Sequence, residues 1–284
     1  QMCIRDSFNM SAIKNKMTEL DGDVSYIGLP TSVIHSLNFD QEVSRSAIGQ
    51  PIGSFYAYKE DGLFQSEAEI KSYTNNKGEL LQPNAKPGDI KFVDVNGDGV
   101  IDGNDRDYIG NPLPDVTAGL TLGVNFHNFD LSLFFQGMFG NDVYDLTRYV
   151  GDFYNQSQYN KNSRVVNAWT PTNTNTDIPR VTMDDPNNNI RPSSYYVQDA
   201  SFVRLKNMKI GYSVPQSILS KIKFNSLYIY AQATNLFTIT GYDGIDPEVG
   251  LQSYSSDYRN LDMGVDRGIY PLSRTFTFGV NVSF

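Results

Sequence analysis

The residues of this 284-residue chain best placed to do chemistry lie at 94–105, which read DVNGDGVIDGND. Asp94, Asn96 and Asp98 stand at positions one, three and five of a calcium loop, with Gly99 at the turn position. Val100 would offer its backbone carbonyl at seven, Asp102 a water-mediated contact at nine and Asp105 a carboxylate at twelve. A hard cation that takes roughly six to eight oxygens suits this spacing, so the loop is expected to hold a structural calcium ion. Two departures from the EF-hand pattern stand out. Asp105 replaces the longer glutamate, and the preceding PGDIKFV reads as extended chain instead of an amphipathic helix. A calcium-sensing helix pair is therefore not expected, and the metal-free alternative is a loop of Asx turns.

Other chemistry is poorly supported. The histidines are His35 and His127, and neither has a cysteine or second histidine at ligand spacing. The single cysteine, Cys3, excludes an internal disulfide framework and a cysteine-based zinc site. Carboxylates cluster at Asp184-Asp185 and at Asp243, Asp246 and Glu248. Paired carboxylates could hydrolyse glycosides, but in segments this rich in Asn and Pro solvated turns are the expected reading. No phosphate-cradling glycine motif or GxSxG elbow is present. Tyr144, Tyr149, Phe153, Tyr154, Tyr159, Trp169, Tyr195 and Tyr196 could stack on sugar rings, form an interfacial girdle or pack loop against loop. A net charge of -9 argues against nucleic-acid binding, which needs basic patches.

The elements that must carry these loops are strands. Val116, Ala118, Leu120, Leu122, Val124 and Phe126 alternate with small or polar residues. After a turn at His127-Asn128 the alternation resumes with Phe129, Leu131, Leu133 and Phe135. Period-two alternation puts one set on each face, and two runs joined by two residues make a hairpin. Each run is about ten residues, the length a tilted strand needs to cross a bilayer. Phe276, Phe278, Val280, Val282 and Phe284 repeat the pattern, as do Leu227–Ala233 and Met208–Val214. Val203 and Leu205 sit on the opposite parity to Met208, which predicts a bulge near Lys206. Residues 8–16 and 50–60 are weaker candidates, giving about seven strands in all. Residues 1–7 (QMCIRDS) lack the pattern that follows them and read as foreign to it.

Composition agrees. Hydrophobic residues are 39% of the chain, yet aromatics alone are 13%, with 18 Tyr and 17 Phe, rings that suit an oil–water boundary. A mean hydropathy of -0.39 and the lack of any run of about eighteen or more apolar residues exclude transmembrane helices without excluding strands that are apolar on one face. Short and long connections alternate from residue 61 onward, the long ones being 61–115, 140–199 and 239–270. Outer-membrane barrels have that asymmetry, with the long loops outside the cell. The connection 17–49 breaks the rule, being long where a short turn is expected. No export signal opens the chain, so a piece of a longer protein is expected. About seven strands cannot close on themselves, so the piece made alone is expected to aggregate.

Several stretches resemble the SusC/RagA-type TonB-dependent outer-membrane transporters. They are IGQPIGSFYAYKEDGLFQ (48–65), GDIKFVDVNGDGVIDGNDRDYIGNPLPDVTAGL (88–120), AWTPTNTNTDIPR (168–180), FVRLKNMKIGYSVP (202–215), IYAQATNLFTITGYDGIDPEV (229–249) and GVDRGIYPLSRTFTFGVNVSF (264–284). The resemblance implies an all-β fold, the C-terminal part of a plugged antiparallel barrel of about 22 strands, with the plug lying upstream. It implies nutrient import across the outer membrane of a Gram-negative bacterium, most often of glycans and sometimes of peptides. A SusD-like surface lipoprotein and the TonB complex would be the partners, and no enzymatic activity is implied. Asp94, Asn96, Asp98, Val100, Asp102 and Asp105 match the family's calcium-like loop, and Phe284 its terminal assembly signal. The rival readings are a soluble, calcium-stabilised β-sandwich binding module and, behind it, a loop-borne glycoside hydrolase.

Overall fold

A computed structural model describes residues 2–28, 41–154, 160–222, 224–250, 261 and 263–284. Six long strands form one antiparallel sheet in the order Met2–Ala12, Val116–Phe126, Phe129–Phe139, Phe202–Ser213, Ser226–Thr234 and Thr275–Ser283. A short strand, Thr238–Thr240, adds to the fourth of these at Phe202–Arg204. Each long strand neighbours the next in the chain, so the sheet is an up-and-down meander. No described helix is long and apolar enough to cross a membrane, a fact silent about strands.

Register explains why these residues form this sheet. One row runs Ile4–Val124–Leu131–Ile210–Ala231–Phe278 across all six strands. The adjacent row on the other face runs Arg5–Gly123–Ser132–Lys209–Gln232–Thr277. One face is therefore apolar from edge to edge and the other polar. A slip of one residue in any strand would put its whole apolar set on the wrong side. Much of the apolar face is bare, with Phe8, Ile229, Phe276, Phe278 and Val280 all exposed. Exposed hydrophobics so contiguous mark a surface built to be covered by something apolar.

Local devices fix the register. His127 adopts φ +53°, closing the two-residue hairpin between Phe126 and Phe129, and His tolerates that region better than most residues. The bulge expected near Lys206 is present: the register shifts between Leu205 and Asn207. On the polar face Gly211 and Gly279 leave room for tyrosines. A Cβ at Gly211 would lie 2.0 Å from the Tyr228 hydroxyl, and one at Gly279 would lie 2.3 Å from the Tyr230 ring. The Tyr228 hydroxyl bonds Asp130 at 2.9 Å, and Lys209 sits over both rings at 4.9 and 4.8 Å.

One expectation needs correction. Residues 50–60 contribute no wall strand. Ser54–Tyr58 belongs instead to a small sheet with Tyr26–Gly28, Ser44–Ala47 and Arg106–Gly110. Met2–Ser7 lengthen the first strand, pairing in register with Thr121–Phe126. Asp6 nonetheless interrupts the apolar face, opposite Leu122, and is its one charged side chain among the described residues. With 50–60 removed from the wall, the irregular connection 17–49 disappears too. The first connection is a single excursion from 13 to 115, and long and short connections alternate throughout the described sheet.

The long connections (13–115, 140–201 and 235–274) all leave from the same end of the sheet and fold together into a cap. Its core mixes Val43, Phe55, Ile90 and Phe92 from the first with Tyr144, Trp169, Ile190 and Tyr196 from the second and Val265 from the third. Short strands stitch the seams: Asp142–Asp145 pairs antiparallel with Val197–Asp199 and parallel with Val265–Asp266. Buried amides do the same work. Gln82 reads the main chain at both Ile90 (2.9 Å) and Phe92 (2.8 Å), and Asn189 bonds the Ile90 amide at 2.8 Å. Such groups satisfy backbone donors and acceptors that no regular strand reaches.

Candidate functional site

The loop 94–105 is folded around its own amides. Asp94 accepts the Gly97 and Gly99 amides at 2.7 and 2.9 Å, Asn96 that of Asp98 at 2.8 Å, and Asp98 that of Val100 at 2.9 Å. Asp102 caps a short 3-10 turn by accepting from Asn104 at 2.8 Å. Asp105 is fully buried, with Oδ1 taking the Val95 and Asn96 amides and Oδ2 that of Asp102. The loop therefore brings Asp94, Asn96 and Asp98 together on its exposed turns, while Asp105 braces them from beneath. Val100 is exposed. Among the described residues no three carboxylate, imidazole or thiol groups converge as a metal cluster.

Of the carboxylates expected to be solvated turns, Asp184 is exposed as expected, but the others are engaged by side chains or amides. Asp246 is buried and meets Arg204, itself 2% exposed, at 2.5 Å. Arg204 also binds Glu248 at 3.0 Å and donates from Nε to the Thr238 hydroxyl at 2.8 Å. Lys206, the residue at the bulge, reaches Glu248 at 2.8 Å. Asp243, half exposed, is held by Arg148 at 3.0 Å and Arg164 at 3.3 Å. Three carboxylates in one short stretch, GYDGIDPEV, thus clasp the third connection to the wall on one side and to the second connection on the other. Asp185 is likewise buried, at φ +38°, accepting the Asn189 and Ile190 amides. Asp89 forms a buried pair with Arg180 at 2.6 Å.

Burial and local bonds together set the protonation of these groups. It would raise the Asp246 carboxyl, but bonds from the Glu248 amide, Arg204 and the Leu272 amide reverse that and hold it below the usual carboxylate range. Burial raises Asp145 despite its bond to Thr147. Tyr242, bonded to Asp266 at 2.7 Å, is raised first by burial and then by the surrounding carboxylates, so its hydroxyl stays a donor.

The loop aromatics resolve toward packing. Tyr144, Tyr149, Phe153, Trp169, Tyr195 and Tyr196 are core residues of the cap, and Tyr144 stacks on Tyr196 at 5.4 Å. Tyr154 is exposed; Tyr159 and His35 lie outside the described residues. His127 packs edge-on against Phe126 at 4.3 Å. Sequence reading missed Arg148, Arg164 and Arg204. The parity of the fourth strand held a signal for Arg204, since it falls on the polar face beside a stretch of three acids.

A meander of long paired strands, bare and apolar on one face and polar on the other, with every long connection at one end, has the strand pattern of a transmembrane β-barrel wall. No family model matches the chain. It is 37% identical over 279 residues to TonB-dependent receptor P3 of Formosa agariphila, covering 98% of this chain and 26% of that protein. Receptor P26 of the same organism is 33% identical over 285 residues, covering 98% and 27%. TonB-dependent receptor SusC of Bacteroides thetaiotaomicron is 27% identical over 283 residues, covering 98% and 24%. The RagAB peptide transporter has the same fold, with a TM-score of 0.72 at 23% identity over 100% of this chain and 27% of that one. The chain belongs with the TonB-dependent receptors of the SusC/RagA type, and it spans about a quarter of the length of the curated relatives it matches.

Proposed function

We propose that this chain supplies wall and external mouth to an outer-membrane transporter that takes up an oligomeric nutrient at the expense of TonB-delivered energy. The observation that carries the reading is the apolar face, unbroken from strand to strand except at Asp6, with the folded cap at one end only. The apolar face meets lipid, the polar face looks into the lumen, and the cap stands outside the cell. The named relatives are receptors and transporters, in keeping with a non-enzymatic role.

An oligosaccharide is the proposed cargo and a SusD-like lipoprotein the proposed partner over the mouth. Peptide is the second reading, favoured by the likeness to a transporter described as carrying peptides. The test is to purify the full-length receptor gently from outer membranes and identify by mass spectrometry what accompanies it. A lipoprotein with a bound oligosaccharide is expected. A bound peptide would change the cargo and keep the transporter, while recovery from the soluble fraction would overturn the reading.

Calcium belongs to the same proposal. Asp94, Asn96, Asp98, the Val100 carbonyl and Asp102 are the proposed ligands, with Asp105 closing the loop. Their oxygens suit a hard cation, and each carboxylate keeps lone pairs beyond those its amide bonds use. When bound, the ion would stiffen a loop that the amides alone already shape.

A further inference from the structure

Asn96 and Gly97 form the one Asn-Gly pair in the chain, and both are exposed on the 94–105 loop. Glycine has no Cβ to hinder its amide, so that nitrogen can turn on the side-chain carbonyl of the residue before it. The reaction needs no catalyst. The Gly97 amide nitrogen gives its proton to water or hydroxide and bonds to Cγ of Asn96, and the Cγ–Nδ2 bond breaks to release ammonia. Water then opens the cyclic imide at either carbonyl. One opening yields aspartate at 96; the other yields iso-aspartate, in which the main chain runs through the former side chain. We propose that Asn96 is a site of spontaneous deamidation gated by the fold of its own loop, shut while the loop's hydrogen bonds stand and open when they part. The site exists whatever the receptor carries and whether or not an ion is bound.

Hydrogen bonds hold each group that the reaction must move. The Gly97 N–H, the nucleophile, donates to Asp94 Oδ1 at 2.7 Å. Asn96 Oδ1 accepts the Asp98 amide at 2.8 Å, and Nδ2, the leaving group, donates to Asp98 Oδ2 at 3.0 Å. Attack requires the amide to leave the first grip and the side chain to leave the second. The grips on the nucleophile and the leaving group both end on carboxylates, and bonds to charged groups are the stronger kind. The next linkage, Asp98 to Gly99, shares the device, its Gly99 amide being held by the second Asp94 oxygen at 2.9 Å. The two products differ in consequence. Aspartate at 96 keeps the backbone and adds a negative charge beside Asp94 and Asp98. Iso-aspartate adds a methylene to the main chain between Asp94 and Gly97, so Asp94 no longer meets both glycine amides at once. The loop is tied to its surroundings through the Gly99 carbonyl, which accepts from Asn75 at 3.1 Å, and through Ile101, which packs on the cap core. The iso-aspartyl loop loosens at both ties, and the change is one-way.

The experiment follows the tryptic peptide 92–106 by mass spectrometry, with chromatography to separate aspartate from iso-aspartate. The full-length receptor is kept in detergent at neutral pH with a chelator present, so that the loop's own bonds are tested. The same peptide free in solution is the unfolded reference. Asn96 is expected to convert in the free peptide, and about tenfold or more slowly in the folded receptor. Asp98→Ala, which frees the Asn96 side chain, and Asp94→Ala, which frees the Gly97 amide, should each bring the receptor's rate toward that of the peptide. Equal rates in receptor and free peptide, no conversion in the peptide, or a receptor rate indifferent to both variants would overturn the proposal. Comparing unaltered receptor with peptide needs no variant, so it decides even where a substitution prevents folding.

Discussion

Replacing Arg204 with alanine tests the clasp directly. Its guanidinium is buried and serves three partners: Asp246 at 2.5 Å, Glu248 at 3.0 Å and the Thr238 hydroxyl at 2.8 Å. Breaking a buried pair from one side costs about 3–5 kcal/mol, because the orphaned charge stays buried. Two circumstances favour the lower end. Glu248 keeps Lys206 at 2.8 Å, and Asp246 keeps the Glu248 and Leu272 amides at 3.0 and 3.1 Å. We therefore expect about 3 kcal/mol of lost local stability in the third connection. Hydrogen exchange on the full-length receptor would read it as faster exchange at 241–250, by about two orders of magnitude. Arg204→Met with Asp246→Leu, which removes both charges, should recover most of the protection. The same clasp sets a pH dependence. Asp246 is depressed in the folded protein, so its contribution is present above the unfolded carboxylate value of about 3.9 and disappears as pH falls through the lower folded value. Exchange that is unchanged in Arg204→Ala, or protection lost already near neutral pH, would refute the reasoning.

Four further outcomes are expected. Leu122→Arg, in mid-strand on the apolar face, should cost about 2–4 kcal/mol in a bilayer and reduce the yield of heat-resistant folded receptor; unchanged yield would count against a lipid-facing Leu122. Gly279→Ala would set a methyl group 2.3 Å from the Tyr230 ring and cost about 1–3 kcal/mol, relieved by Tyr230→Ser; a failure of that second change to rescue folding would show that the ring is not the obstacle. Asp105→Ala strips the acceptor from three amides and should cost about 2 kcal/mol locally, read as protease nicking within 94–105 with or without calcium. Asp98→Ala should instead raise the calcium concentration needed for protection, and chelator-insensitive nicking of the unaltered loop would remove the ion from the account.

How much of this was legible beforehand depended on the length of the periodic signal. The wall strands run nine to twelve residues, enough repeats of an alternating pattern to fix face, hairpin and even the bulge at Lys206. The cap strands run two to five, too few for alternation to separate from chance. Ser54–Tyr58 was readable as a strand but not as to which sheet it joins, because its partners lie at 44–47 and 106–110. The acidic stretches misled for a different reason. Asn and Asp look solvated because their usual partner is water, and nothing local reveals a distant arginine such as Arg204 against Asp246 or Arg180 against Asp89. In the 94–105 loop the spacing of oxygens was plain, whereas the turn of Asp105 inward to three amides was not.

The shared core of the cap imposes an order on biogenesis. The hairpin 116–139 closes over two residues and can form in microseconds once the chain is free. Val43 and Val265 belong to one core, and the Ser44 hydroxyl donates to the Leu261 carbonyl, so the first excursion cannot consolidate until the third has been delivered. Contacts so distant in sequence are slow to find and expensive in loop entropy. On the proposed reading the wall therefore precedes its roof during insertion, and for that interval three unfinished connections face outward. Surface proteases that act in this window would cut the excursions of slow-assembling variants while sparing their strands.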